Sequence, residues 1–229
     1  MGLLRLMTYN VRSMRDDRAA LGRVIRAADP HVVCVQEAPR FFRWRSLCRQ
    51  LADSSGLTVV AGGRPAAANL ILARREVEVM RTAHVLFTKD FRLHQRGTAI
   101  AVLRHAGSAF AVAGTHLDLA AAPRLRHVAE LHAAVEAHVP SEVPCVIAGD
   151  INDRPGSPPW QALTEHRRDA WAAVGDGDGF TSQAATPQQR IDAIFVDPRL
   201  PVPSATVLDG PDTRIATDHL PVLVELRLP

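Results

Sequence analysis

Lysine is almost missing from this chain: Lys89 stands alone among 27 Lys and Arg residues. Arginine therefore carries the positive charge, and its planar fork suits phosphate. The accompanying wealth of Ala, Pro and Val marks a compositional bias rather than a dedicated basic surface. A net charge of +3 over 229 residues is too small to indicate a nucleic-acid partner. Cysteine is scarce too. Cys34, Cys48 and Cys145 are odd in number and form no CxxC pair, so the expectation is free, buried thiols and a reducing compartment. No apolar run approaches the ~20 residues of a membrane span, so no transmembrane segment is expected. The N-terminus enters Leu3-Leu4-Arg5-Leu6 without a charged segment and long apolar core, so no secretory leader is expected and the localisation is read as cytoplasmic. Repeats, linkers and low-complexity tails are absent, which leaves residues 1–229 as one expected domain, read as a monomer. The 47% hydrophobic content supports a sizeable core and excludes disorder.

What is present is a succession of short apolar runs. Leu3 to Tyr9 reads as a strand. A helix follows, capped by Asp16 or Asp17, with Leu21, Val24, Ile25 and Ala28 on one face. His31 to Val35 is the next strand, which completes a βαβ-like opening. In Arg40-Phe41-Phe42-Arg43-Trp44-Arg45 aromatics alternate with arginines. The spacing of Phe41, Trp44, Leu47, Cys48 and Leu51 favours a core-facing helix over a lip for nucleic acid or lipid headgroups, with Phe42, Arg43 and Arg45 left at the rim. Five further strands are expected over 57–61, 69–73, 77–86, 98–103 and 109–115. A helix starts at Pro123 and presents Leu125, Val128, Leu131, His132 and Val135. Val143 to Ala148 leads into Gly149-Asp150-Ile151-Asn152, where Gly149 is expected to let the chain turn. Ile191–Val196 and Leu220–Leu228 close the chain. The run Gly175-Asp176-Gly177-Asp178-Gly179 lacks the ligand spacing of a calcium loop and reads as a turn.

Polar, chemically capable residues sit at the edges of six of these pieces: Tyr9-Asn10, Gln36-Glu37, Thr115-His116-Leu117-Asp118, Asp150-Ile151-Asn152, Arg190-Ile191-Asp192 and Thr217-Asp218-His219. Strand edges are where a rigid scaffold offers side chains to a ligand. Each piece alone reads as a turn or a solvated end; six in one chain read as a site. Glu37, Asp150, Asp192 and Asp218 could not share a site without a cation, and a hard ion with oxygen ligands such as Mg²⁺ answers that need. Zinc is disfavoured because no His- or Cys-rich ligand spacing is present.

Together with Met7-Thr8-Tyr9-Asn10-Val11, Val35-Gln36-Glu37, Asp192-Ala193-Ile194-Phe195 and Asp218-His219-Leu220-Pro221-Val222, these pieces resemble, in order, the motifs of the endonuclease/exonuclease/phosphatase family. Thr217 stands where Ser is usual and Ala193 where Tyr often occurs. The resemblance implies an α/β fold, a four-layer α/β/β/α sandwich of two mostly antiparallel sheets flanked by helices. It implies a phosphoesterase that hydrolyses phosphodiesters by direct water attack with Mg²⁺, or Mn²⁺ in its place. Glu37 would be the main metal ligand, helped by Asn10 and Asp218. Asp150 would orient or deprotonate the water, and Asn152 would hold water or phosphate. His219, steered by Asp192, would contact the phosphoryl oxygen, and His116 the phosphate or leaving-group side. Asn69 and Arg96 are matched to substrate phosphate. The substrate stays open among DNA, RNA, phospholipid and small phosphate esters. A non-catalytic phosphate-binding or nucleic-acid-binding module on the same fold is the alternative.

Overall fold

Alternation of side chains along each strand sorts the apolar residues into three cores, and the layers follow from that sorting. The computed structural model describes residues 2–229. In chain order the elements are β1 (Leu3–Asn10), α1 (Arg18–Ala28), β2 (Val32–Gln36), α2 (Trp44–Ser55), β3 (Thr58–Gly63), β4 (Asn69–Ala73), β5 (Glu78–Leu86), β6 (Gly97–His105) and β7 (Ser108–His116). Then come α3 (Ala121–His138), β8 (Cys145–Asp150), α4 (Pro158–Thr164), β9 (Arg168–Asp169), α5 (Ala170–Val174), β10 (Asp192–Val196), β11 (Ser204–Val207), α6 (Pro211–Ala216) and β12 (Val222–Arg227). Two six-stranded sheets form, ordered β11-β12-β1-β2-β4-β3 and β5-β6-β7-β8-β10-β9. Only β1–β2 and β7–β8 run parallel among the described pairings.

Leu4 and Leu6 of β1, Cys34 of β2, Val112 of β7, Val146 of β8 and Ile194 of β10 meet between the sheets. The alternate residues Met7, Tyr9, Val33 and Val35 face α1 and α2. On the other side, Ala113, Ile147 and Phe195 face α3 and α4. The result is the expected helix–sheet–sheet–helix sandwich of mostly antiparallel strands. Asp17 caps α1, accepting from Ala19 N and Ala20 N at 2.9 Å each. All three cysteines are buried and free. No helix among the described residues is long and apolar enough to cross a membrane.

Three expectations need correction. Phe41 lies ahead of α2 and is exposed; the helix starts at Trp44 and buries Cys48 and Leu51. The helical periodicity extended one turn too far because the chain enters α2 through a left-handed Arg43, φ 58°. Leu125 points outward on α3, where Arg124 and His127 are buried instead, each hydrogen-bonded to its surroundings. β5 is mostly exposed because it is the outer edge of its sheet. Gly149 does not turn the chain: it pairs within β8, where any Cβ would overlap the Thr115 carbonyl. Its role is close strand approach.

Two outcomes test this packing. Gly149→Ala should lower unfolding free energy by about 1–3 kcal/mol in urea denaturation, through overpacking against β7. His31 accepts from Arg5 N at 2.9 Å through Nδ1 and stacks on His105 with ring centroids 4.4 Å apart. Burial, followed by His105, pushes its pKa from 6.5 down to about 4. The unfolded chain therefore takes up this proton first, so the contribution of neutral His31 is full above pH 6.5 and is lost as pH falls towards 4. His31→Asn, which keeps an acceptor for Arg5 N, should flatten the pH dependence of stability across that window.

Candidate active site

The same alternation that builds the inter-sheet core aims four polar side chains into it. Asn10 continues the Leu4–Leu6 face, His116 the Phe110–Val112 face and Asp150 the Val146–Ala148 face. Asp192 precedes Ile194 on its own. Register aligns them, since His116 pairs with Asp150 across β7–β8 and Asp192 with Asp150 across β8–β10. Three side chains thus stand in one row across the second sheet. Asn10, at the end of β1, closes on that row from the first sheet, its Nδ2 lying 3.0 Å from Asp150 Oδ2.

Glu37 follows β2 on the parity that should face the helices. Its left-handed conformation, φ 51°, brings it back, and its Oε1 accepts from Asn10 Nδ2 at 3.2 Å. Asn152 also takes a left-handed conformation, φ 53°. Its backbone N–H donates to Asp150 Oδ1 at 3.0 Å and its Nδ2 to Leu117 O at 2.9 Å. The Asp150–Asn152 stretch is thus a turn as well as part of the site, and the two side chains are not parallel neighbours on an extended strand. Thr217, after α6, donates to Asn10 O at 3.1 Å, which brings Asp218 and His219 to the same end.

Electrostatics separates the two histidines. His219 Nδ1 lies 2.8 Å from Asp192 Oδ2 and its Nε2 3.9 Å from Asp150 Oδ2. Burial alone would lower its pKa, but Asp192, then Asp150 and Asp218, raise it to about 10. His116 lies 3.4 Å from Asp150 Oδ2. Burial, followed by the positive charges of Arg96, His219, Arg40 and His94, holds it well below 6.5. One imidazole is cationic and the other neutral at pH 7. Asp150 itself is pushed up to about 7, by burial first and Asp192 second.

Glu37, Arg96, His116, Asp150, Asn152, Asp218 and His219 border a cleft of about 370 Å³. Asn10 and Asp192 lie behind it. Arg96 is 3.8 Å from Asp118, and burial lowers its pKa. Asn69 is not brought to the cleft: it is fully buried, and its Nδ2 donates to Ala66 O and Gly97 O at 2.9 Å each. Arg190 is also away from the chemistry, paired with Asp169 through Nη1 at 2.9 and 2.8 Å and lying over Trp160.

Several residues escape sequence reasoning. Leu119, Ser182, Gln183 and Gln189 complete the cleft wall beside Ile191. Thr181 is fully buried, and its Oγ1 accepts from Ile191 N at 3.3 Å and Asp192 N at 3.2 Å. Arg12 pairs with Asp218 at 3.4 Å. No local pattern flags the 181–189 loop, because its partners lie on β10 and at His219.

The donors fit a hard cation. Asp150, Asp192 and His219 each offer a ligand atom within 4.8 Å of the others. The His219 Nδ1–Asp192 contact, however, is already an ion-paired hydrogen bond. Glu37, Asp218 and the Asn10 amide are oxygen donors beside it, and Asp192 Oδ1 is buried without a partner. Oxygen ligands without cysteine suit Mg²⁺-like ions rather than zinc.

A model of the Endonuclease/Exonuclease/phosphatase family matches residues 7–219. No curated protein matches the chain. Among solved structures, an endonuclease/exonuclease/phosphatase from Bacteroides vulgatus superposes with a TM-score of 0.84 at 20% identity, covering 100% of both chains. A mannosyl-6-phosphatase from Bacteroides thetaiotaomicron gives 0.84 at 16% identity, over 98% of this chain and 100% of that one. D. rerio TDP2, complexed with single-strand DNA product, gives 0.78 at 17% identity, over 99% of this chain and 100% of that one.

Thr181→Val removes the acceptor that holds the Ile191 and Asp192 amides. It should cost about 1–3 kcal/mol of stability in denaturant melts, whereas Thr181→Ser should retain it.

Proposed function

Because the chain belongs to the endonuclease/exonuclease/phosphatase family, we propose that residues 1–229 form one phosphoesterase domain that hydrolyses a phosphodiester by direct attack of water, with Mg²⁺ as its cation and Mn²⁺ as a substitute. The observation that carries this reading is the convergence of two carboxylates and two imidazoles on one cleft: His116 and His219 stand 3.4 and 3.9 Å from Asp150 Oδ2, and Asp192 holds His219 at 2.8 Å. A buried acid of raised pKa between a cationic and a neutral histidine is the division of labour that acid–base hydrolysis requires.

In this reading Asp150 accepts the proton of the attacking water, with Asn10 Nδ2 and the Asn152 amide fixing the carboxylate. Asn152 also steadies water or phosphate at the cleft. His219, kept charged by Asp192, donates towards a phosphoryl oxygen where negative charge builds. His116, kept neutral, faces the ester oxygen on the leaving side. Arg96 meets substrate phosphate; the burial of Asn69 supports a structural part for that residue instead. Glu37, Asn10 and Asp218 would hold the cation, whose chemistry is to neutralise phosphate charge as a Lewis acid. Kinship of fold with a mannosyl-6-phosphatase and with a TDP2 bound to single-strand DNA product supports phosphoester chemistry on small or polymeric substrates.

Hydrolysis of bis(p-nitrophenyl) phosphate tests the reading. Glu37→Ala and His219→Ala should each reduce kcat by about 10²–10³-fold or more, and chelation should abolish turnover until Mg²⁺ is restored. Wild-type turnover in either variant would overturn the assignment.

A further inference from the structure

Three loops at the mouth of the cleft carry apolar side chains that no part of the described chain covers. Phe41 and Phe42, on the turn before α2, are 74% and 86% exposed; Phe91, between β5 and β6, is 86% exposed; Leu119, a wall of the cleft itself, is 71% exposed. The turn is formed, with Trp44 N donating to Phe41 O at 3.2 Å. The loop holding Phe91 is closed at its neck by Phe87 N to Arg96 O at 2.9 Å and Gln95 Nε2 to Phe87 O at 2.7 Å. Both segments border the site, since Glu37, three residues ahead of Arg40, and Arg96, at the end of the loop holding Phe91, line the cleft with Leu119.

Cations are concentrated in the same two segments. Arg40, Arg43, Arg45, Lys89 and Arg92 stand with one acid, Asp90, which Arg126 holds at 2.8 Å; Arg96 is already beside Asp118. That surplus of four exceeds the +3 of the whole chain, so positive charge is concentrated on these two segments. Apolar tips ringed by arginines match a bilayer interface, where rings reach the acyl boundary and guanidinium groups stay with phosphates. Stacking of unpaired bases needs open ring faces on a platform. Here Arg40 lies 5.2 Å from the Phe41 centroid and Arg92 5.1 Å from that of Phe91, so each occupies one face. Leu119 offers no ring at all.

We propose that Phe41, Phe42, Phe91 and Leu119, with the arginines among them, form a docking surface for an anionic phospholipid membrane, which turns the cleft towards the headgroups. The substrate would then be a phosphoester carried by a lipid; that part rests on the phosphoesterase reading, whereas docking itself does not.

Sedimentation of the full chain with vesicles of phosphatidylcholine, with or without about a third phosphatidylglycerol, tests the proposal. Binding is expected to the anionic vesicles and to weaken with salt. It should fall at least tenfold in Phe42→Ser/Phe91→Ser and in Arg43→Gln/Arg92→Gln, with thermal melts confirming that both variants fold. Wild-type protein that stays in the supernatant would overturn the proposal. So would vesicle binding indifferent to the phenylalanines, which is mere charge attraction. Binding of oligo-dT that needs the same phenylalanines, without vesicle binding, would make the collar a single-strand platform instead. Sedimentation needs no turnover, so a Glu37→Ala protein that is inactive yet still sediments separates this result from the phosphoesterase test.

Discussion

Asp150 and Asp192 stand opposite each other on neighbouring strands, both buried, at the cleft end of a β-sandwich. Two such carboxylates repel, and burial makes each charge more costly. The surroundings answer with one imidazolium, His219, bonded to Asp192 and within reach of Asp150, and with neutral donors from Asn10 and the Asn152 backbone. The balance leaves Asp150 near neutrality in its affinity for protons. Moving any of these groups alters the charge state of the others, and paired strands hold the two carboxylates and His116 in fixed register.

Strand geometry makes that assembly economical. Alternate residues of β1, β7, β8 and β10 fill the space between the sheets with aliphatic side chains until each strand nears its edge. There the same face carries Asn10, His116, Asp150 and Asp192. Gly149 lets β8 approach β7 closely enough to keep the row in register. Glu37 and Asn152 complete the group by leaving their strands in left-handed conformations, a local strain held by hydrogen bonds to Asn10, Asp150 and Leu117.

The rim follows other rules. Phe41, Phe42, Phe91 and Leu119 lie outside helices and strands, and their exposure costs the packed cores nothing. A scaffold that keeps the reacting groups rigid while its connections bear the contacting side chains can change partner without disturbing chemistry. Arg190 and Asn69 illustrate the reverse case, polar residues in site-like motifs that instead hold the scaffold together through Asp169 and Gly97.

Much of this was legible in the residues themselves. Short apolar runs located β1, β2, β7, β8, β10 and β12, and the polar letters at or beside their ends named Asn10, Glu37, His116, Asp150, Asp192 and His219, because apolar runs and strand-edge chemistry are local properties. Tertiary structure alone decided the rest. The periodicity that put Phe41 into a helix could not register the left-handed Arg43 that ends it, and nothing near Thr181 announces that its hydroxyl carries the amide of Asp192 across a gap of ten residues. The charge states of His116 and His219 also required the fold, since both are ordinary imidazoles in sequence. One becomes cationic because folding sets carboxylates beside it; the other is held neutral by its burial first and by Arg96 and neighbouring cations second.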